Sequence, residues 1–295
     1  CRLLSARGKQ SSIKAGYCRV NQFINLITNS ISPFNSLEVW LPSGPNIKPQ
    51  SADIFDLGYI VSFPRNHLSF QASTFYKNMA NQIGYKYHAS MLVNPAIEGE
   101  LRQGRGWAYG LELSARKESG KLTGQVSYTW SRSFLKIDGL NNNQAFPATY
   151  DRPHSFSASL AYQSKPRWLY SADFCISSGA RITTPTAFYY YQGYQVPVYT
   201  KQNNDQFPVY NRFDFSIRHR LNKKEQRFTH FLNFSVLNLL GKPNPIFLNF
   251  NKIKIPGKNG DEFYIPMDKL NFKPVTPTIR YTYWIVPSLT YQLKF

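Results

Sequence analysis

Cysteine is scarce in this chain of 295 residues. Cys1, Cys18 and Cys175 form an odd set without C-x-x-C spacing, which points away from a disulfide framework and from a thiolate zinc site. A leading Cys can be a lipidated residue. Here Leu3-Leu4-Ser5-Ala6-Arg7 reads as a strand rather than a tether, so Cys1 is taken as an accident of where the sequence starts. No signal peptide is visible, as expected of a mature chain or a fragment. Long apolar runs are also missing. Nothing approaches about eighteen consecutive apolar residues, which excludes membrane-spanning helices. Acids are few, 16 Asp+Glu against 35 Lys+Arg, for a net charge of +19. The basic residues are scattered (Arg7/Lys9, Lys117/Lys121, Lys165/Arg167, Lys223/Lys224/Arg227) instead of striped. Solvated turns explain that pattern better than a nucleic-acid partner. His67, His88, His154, His219 and His230 lack metal-ligand spacing. Ser119-Gly120-Lys121 and Gly257-Lys258-Asn259-Gly260 lack the earlier Gly and the following Ser/Thr of a P-loop. There is no nucleophile elbow and no EF-hand loop. No enzyme, cofactor or metal centre is expected.

What the chain does have is aromatic side chains, 5 Trp, 20 Tyr and 22 Phe, too many for intrinsic disorder. They sit in a sequence that is polar on average, with a mean hydropathy of −0.41. Strict alternation reconciles the two. Leu122, Val126, Tyr128 and Trp130 alternate with Thr123, Gln125, Ser127, Thr129 and Ser131. Phe156, Ala158, Leu160 and Tyr162 do so with Ser155, Ser157, Ser159 and Gln163, and Trp168, Tyr170, Ala172, Phe174 and Ile176 follow suit. Phe213, Phe215 and Ile217, then Leu289, Tyr291, Leu293 and Phe295, repeat it. A period of two means strands with one apolar and one polar face.

The alternation predicts eleven strands, at 2–7, 12–20, 54–63, 67–77, 107–117, 121–133, 154–163, 168–178, 211–220, 229–238 and 281–295. Their links alternate between short (Gly8–Ser11, Pro64–Asn66, Glu118–Gly120, Ser164–Arg167, Leu221–Phe228) and long (21–53, 78–106, 134–153, 179–210, 239–280). Antiparallel neighbours then place all short turns at one end and all long loops at the other. That is the habit of an outer-membrane β-barrel, with short periplasmic turns and long extracellular loops. Strands of about ten residues suit a tilted crossing of the bilayer. Tyr281, Tyr283 and Trp284 at one end of the last strand, and Tyr291 and Phe295 at the other, are candidate interface girdles.

Several stretches resemble the C-terminal barrel of TonB-dependent receptors, particularly the Bacteroidetes type. They are Asn46-Ile47-Lys48-Pro49-Gln50, Gly104-Arg105-Gly106-Trp107-Ala108-Tyr109-Gly110-Leu111-Glu112-Leu113, Ser119 to Gly124, Ser127 to Arg132, Phe146-Pro147-Ala148 with Tyr150-Asp151-Arg152-Pro153-His154, and Asn211-Arg212-Phe213-Asp214. The closing Pro287 to Phe295 is similar to the family's last strand, and Tyr291, Leu293 and Phe295 resemble its signal to the barrel-assembly machinery. The resemblance implies a receptor taking up a scarce nutrient, with energy relayed by TonB through a plug and an N-terminal segment that are not visible here. Residues 1–295 would then be one partial barrel domain, roughly the C-terminal half of a 22-stranded barrel in the bacterial outer membrane. A self-standing porin-like or adhesin barrel is the first rival reading and a soluble carbohydrate-binding β-protein the second.

Loops on a rigid scaffold carry specificity. Tyr189, Tyr190, Tyr191 and Tyr194 form an aromatic cluster in one of them, suited to stacking on sugars, catechols or a planar cofactor, or to forming a packed hairpin. Six lysines of loop 239–280 suit an anionic ligand or lipopolysaccharide, which with outer-membrane lipid would be a partner. Glu112 and Asp173 are expected to face the lumen with Arg116, Arg132, Arg212 and Arg218 as wall ion pairs, and His154 to make a structural hydrogen bond at a loop–strand junction.

Overall fold

The computed structural model describes residues 2–6, 9–27, 39–87, 89–90, 94–184, 186–191, 194–222, 227–250, 254–256, 262–264, 277–281 and 284–295. Eleven strands form one antiparallel wall in strict chain order. They are β1 (Arg2–Ala6), β2 (Lys9–Gln22), β3 (Gln50–Phe63), β4 (Leu68–Tyr85), β5 (Leu101–Lys117), β6 (Leu122–Ile137), β7 (His154–Lys165), β8 (Trp168–Ser177), β9 (Tyr210–Arg220), β10 (Thr229–Leu237) and β11 (Val286–Lys294). Each of the eleven strands predicted from alternation is present. All short links lie at one end of the wall and all long ones at the other. The sheet is open: β1 and β11 each pair with one neighbour among the described residues.

Several boundaries differ from the sequence expectation. The last strand begins at Val286, not at residue 281. Pro277–Tyr281 instead pairs with Pro245–Phe250 in a loop hairpin, and the side-chain amide of Asn238 donates to the Trp284 carbonyl at 2.6 Å, so this backbone is tied to a loop root rather than to the ladder. Tyr283 lies outside the described residues. At the long-loop end, β3, β4, β5 and β6 run several residues further than alternation indicated. Backbone pairing needs no apolar face, so ladders continue where alternation fades.

Register lays out the two faces. One row, Ile13–Tyr59–Ala72–Leu113–Tyr128–Phe156–Ile176, crosses seven strands on the outer face. Rows below it carry Leu160 and Phe215, then Leu122, Tyr162, Tyr170, Ile217, Phe234 and Leu289. From Leu122 to Trp130 the strip spans nine residues of β6, about 27 Å along the strand at roughly 3.4 Å per residue. Tilted by about 40°, that matches the apolar band of a membrane barrel. The exposure of Leu57, Tyr59, Leu111, Leu113, Leu289 and Tyr291 makes sense only if lipid covers them. The inner face is small and polar, with serine rows Ser114–Ser127–Ser157 and Ser171–Ser216–Ser235–Ser288.

Buried side chains gather above the band. A register shift between Ala80 and Gln82 leaves Asn81 in a left-handed bulge (φ 56°), its side-chain amide donating to the Pro49 carbonyl at 2.8 Å. The extra residue inverts the alternation, turning Ile83 and Tyr85 to the outer side. There Tyr85 and Leu101 pack with Ile27 and Ile47, sealed by Leu41 and Ile97. On the opposite side Ile137, Leu140 and Phe146 form a second cluster with Tyr87 and Leu135.

A charge in the middle of the outer band is costly, whereas one on the inner face meets water. Leu113→Arg is expected to destabilise the folded wall by about 2–4 kcal/mol, with Ser114→Arg far milder. Denaturant titration in lipid vesicles, read by heat-modifiable gel mobility, measures the difference.

Candidate functional site

The long-loop end is where side chains from separate segments converge. Asp151 is fully buried and closes one junction. Its Oδ1 accepts the Ser133 N–H at 2.8 Å and lies 3.3 Å from Arg132 Nε, and its Oδ2 lies 3.3 Å from Arg181 Nη2. One carboxylate thus ties β6 and the segment after β8 to the segment leading into β7. The adjoining backbone makes the same connection, with Ala148 N–H on Ser133 O and Arg181 N–H on Thr149 O. Arg132 departs from the sequence expectation. It shares the outer face with Trp130 rather than the lumen, because it sits above the apolar band, where Asp151 and the Phe134 ring (4.7 Å) receive it.

Asparagines knit the loops together. The Tyr87 hydroxyl lies 2.7 Å from Asn141 Oδ1 and 3.1 Å from the Thr200 carbonyl, and Asn141 Oδ1 also accepts the Gln202 N–H at 2.7 Å. Asn203 Nδ2 donates to the Pro147 carbonyl at 2.8 Å. Asn141, Asn142, Asn143 and Asn203 all have positive φ, between 49° and 60°, a conformation that asparagine tolerates better than most residues. Further along, Asn244 exchanges two hydrogen bonds with the Asn211 backbone (3.0 and 2.7 Å), and Asp214 holds the Arg212 fork and the Asn238 N–H. Asn46 donates to Glu98 Oε2 at 2.7 Å. The motifs at Asn46–Gln50, Phe146–His154 and Asn211–Asp214 therefore all serve as loop roots. Sequence reasoning found the motifs but missed this role. The left-handed asparagines, run as Asn141-Asn142-Asn143, were the available signal.

His154 is the first residue of β7 and its Nδ1 lies 2.8 Å from the Tyr128 hydroxyl, the structural bond expected of it. Glu112 accepts from Ser73 (3.3 Å) and Asp173 from Ser159 (2.5 Å), so serines rather than arginines meet these lumenal carboxylates. Arg116 pairs with Glu118 at the adjacent turn (3.3 Å) and Arg212 with Asp214. Tyr291, Leu293 and Phe295 lie on the last strand and its end, exposed on the outer face, with the Tyr291 hydroxyl 2.5 Å from His230 Nδ1.

The aromatic loop is a hairpin: Ala187–Tyr191 pairs with Tyr194–Val198, and Tyr191 is opposite Tyr194. The Tyr189 side chain is half exposed, while the side chains of Tyr190, Tyr191 and Tyr194 lie outside those described. Neighbouring Tyr199 is partly buried, which pushes its phenol pKa up. Lys242 reaches the Val209 carbonyl at 3.2 Å, and Lys252, Lys258, Lys269 and Lys273 fall outside the described residues. Among the described residues no His, Cys, Asp and Glu group could hold a metal ion.

An open antiparallel wall with a lipid-width outer band, a wet inner face and all its elaboration at one rim defines a transmembrane β-barrel wall. Residues 11–239 match the family model for the TonB-dependent receptor-like β-barrel, and the chain belongs to that family. It therefore lies in the outer membrane, short turns toward the periplasm, and its relatives by family are receptors and transporters. No curated protein matches the sequence. Among solved structures, the ferripyoverdine receptor of the outer membrane of Pseudomonas aeruginosa bound to ferripyoverdine is 14% identical, with TM-score 0.52, over 81% of this chain and 28% of that one. P. aeruginosa FpvA bound to heterologous pyoverdines gives 14% and 0.53, over 90% and 30%. The copper transporter OprC gives 15% and 0.50, over 97% and 38%. The chain thus spans about three tenths of the length of the ferripyoverdine receptor structures it matches. At this identity the likeness is one of fold.

Removing the buried carboxylate should loosen the mouth, not the wall. Asp151→Asn leaves two arginines without their counter-charge, with an expected local cost of about 3 kcal/mol. Faster amide exchange at Ser133 and Arg181, with unchanged exchange at Leu113, is the expected pattern.

Glu100 provides a pH-dependent tie. A hydrogen bond from the Lys86 ammonium (3.0 Å) and one from the Ser90 N–H (3.0 Å) hold its carboxyl below the usual carboxylate range. A depressed pKa contributes stability above the unfolded value and loses it as pH falls through the folded one. The protection factor of the Ser90 amide, measured against its intrinsic exchange rate, should therefore fall in that acidic window, and Glu100→Gln should abolish the dependence.

Proposed function

We propose that this chain is the binding-surface and lumen-wall portion of an outer-membrane receptor that imports a scarce nutrient with energy supplied through TonB. The observation that carries the reading is the division of labour in the wall. An invariantly paired, serine-lined inner face spans the bilayer, and interlocked loops crown it on one side only. A passive pore has little use for loops tied to one another through buried asparagines, whereas a ligand-binding mouth needs fixed geometry. The family match supports the receptor reading over a porin-like or adhesin barrel, and over a soluble carbohydrate-binding protein. No catalysis is assigned: Asp151, Asn141 and Asn244 at the mouth are engaged with backbone and neighbouring side chains.

The wall belongs to a larger barrel on this reading. Two single-paired edges in hydrocarbon would leave a row of backbone groups unsatisfied at several kcal/mol each, so strands outside this chain would complete the closure. A plug and an N-terminal segment outside the chain would contact TonB. The barrel-assembly machinery would read Tyr291, Leu293 and Phe295. The aromatic hairpin bearing Tyr189, Tyr190, Tyr191 and Tyr194 would meet the ligand, rings stacking on a flat sugar, catechol or planar chelate.

The test uses cells expressing the complete receptor that carries this chain, with and without functional TonB. They are offered a radiolabelled ferric tris-catecholate, copper ion, cobalamin and a maltooligosaccharide. Uptake of one of these that disappears without TonB is expected, and replacing all four tyrosines by Ala should raise its half-saturating concentration by about tenfold or more. A steady, TonB-independent conductance from the purified receptor in planar bilayers would instead establish the porin-like reading.

A further inference from the structure

We propose that Arg105 and Lys136 form a binding site for the phosphate of an outer-leaflet lipid, on the outer face of the wall at the upper rim of its apolar band. The two residues are direct partners across β5 and β6. Alternation places both on the face that carries Tyr109, Leu111, Tyr128 and Trp130, where Arg105 is exposed and Lys136 half-buried. Directly opposed side chains have Cβ atoms about 5 Å apart, so like charges there repel.

Other cations toward the long-loop end meet acids of the chain. Asp53 lies 3.8 Å from Arg19, and Asp151 meets both Arg132 and Arg181 at 3.3 Å. Among the described residues no ion pair includes Arg105 or Lys136. On the other side of Arg105 the facing residue of β4 is Ala80, whose small side chain leaves the approach open. An anion bridging the two cations would remove the repulsion and gain charge-assisted hydrogen bonds.

The surroundings specify which anion. Immediately below the pair, Trp107 stacks on Phe134 at 5.8 Å and Tyr109 packs on Trp130 at 5.9 Å, rings of the kind that settle at headgroup level. Below them runs the apolar strip on which acyl chains lie. A phosphate attached to acyl chains satisfies both parts at once, and free phosphate only the upper. Because the site faces the bilayer and not the lumen, it stands whether or not the nutrient-uptake reading holds.

The test is titration of the complete receptor, in non-ionic detergent, with diphosphoryl lipid A, its dephosphorylated counterpart and inorganic phosphate, read by native mass spectrometry. The phosphorylated lipid should bind at least about tenfold more tightly than the dephosphorylated one. That preference should vanish in the Arg105→Gln/Lys136→Gln variant and near 1 M salt, where the screening length is about 3 Å. Arg116→Gln/Arg218→Gln, the same charge change on the lumenal face, should leave it intact. Should the double variant lack heat-modifiable mobility, Lys136→Gln alone is read the same way, with a smaller loss. Equal preference in wild type and variant overturns the site. Displacement of the lipid by inorganic phosphate at equal concentration overturns the lipid as its occupant, and displacement by a polyglutamate peptide reassigns it to an acidic protein surface.

Discussion

Inside hydrocarbon no water is available to satisfy a backbone N–H or C=O, and most of the wall's architecture is a consequence of that one constraint. Each strand from β2 to β10 pairs on both sides, and it does so with its sequence neighbours, so the connections can be as short as a turn at the periplasmic end. Pairing fixes register, register fixes which residues share a face, and the bilayer then sorts those faces. Leu, Tyr and Phe go outward, where an ordinary soluble domain would have buried them. Serine goes inward, where a large side chain would fill the lumen. The wall therefore needs no core of its own within the membrane: lipid takes the place of a second layer.

Above the bilayer the constraint relaxes and a different solution takes over. Water can satisfy backbone there, so segments must be held by specific contacts instead of by obligation. The two hydrophobic clusters, Ile27–Ile47–Tyr85–Leu101 and Ile137–Leu140–Phe146, lie on opposite sides of the extended strands. The bulge at Asn81 makes the first of them possible by turning Ile83 and Tyr85 outward. Asp151, Asn203 and Asn244 then fasten loops to strand roots at three separate points. Such fastening places the entropy cost of ordering the mouth in folding rather than in ligand binding. Rigidity at the rim and rigidity in the wall thus have separate sources, and a substitution can weaken one without the other.

The membrane-spanning wall was legible in the sequence because its physics is written in a period of two. Leu122 to Trp130 and Trp168 to Ile176 alternate almost without fault, and their strands fall where expected. Legibility fails where the bilayer stops imposing alternation. Lys77-Asn78-Met79-Ala80-Asn81-Gln82 has no apolar face to reveal, yet β4 continues through it. Tyr281 to Trp284 looks like the top of the last strand, but Asn238 captures the Trp284 carbonyl and the ladder starts later. Arg132 alternates correctly with Ser131 and Ser133. Its charge points to the lumen, yet it lies on the lipid side, where it makes sense only with a buried partner nineteen residues away. Loop roots are long-range contacts between short polar segments, and local pattern carries no trace of such pairings.

The distribution of charge follows from the same division. On the lumenal side acids are stabilised by serine hydroxyls, as Glu112 and Asp173 show, and need not be matched one to one by cations. On the lipid side a cation can exist only at a rim, where a carboxylate or a ring can receive it, as Asp53 receives Arg19 and as Asp151 and Phe134 receive Arg132. Acids are the scarcer species by more than two to one, so a rim built this way runs out of internal counter-charge before it runs out of cations. On the proposed lipid site, the counter-charge for the remainder comes from outside the chain, and at the height of an aromatic girdle the nearest dense supply of fixed negative charge is the membrane's own headgroup layer.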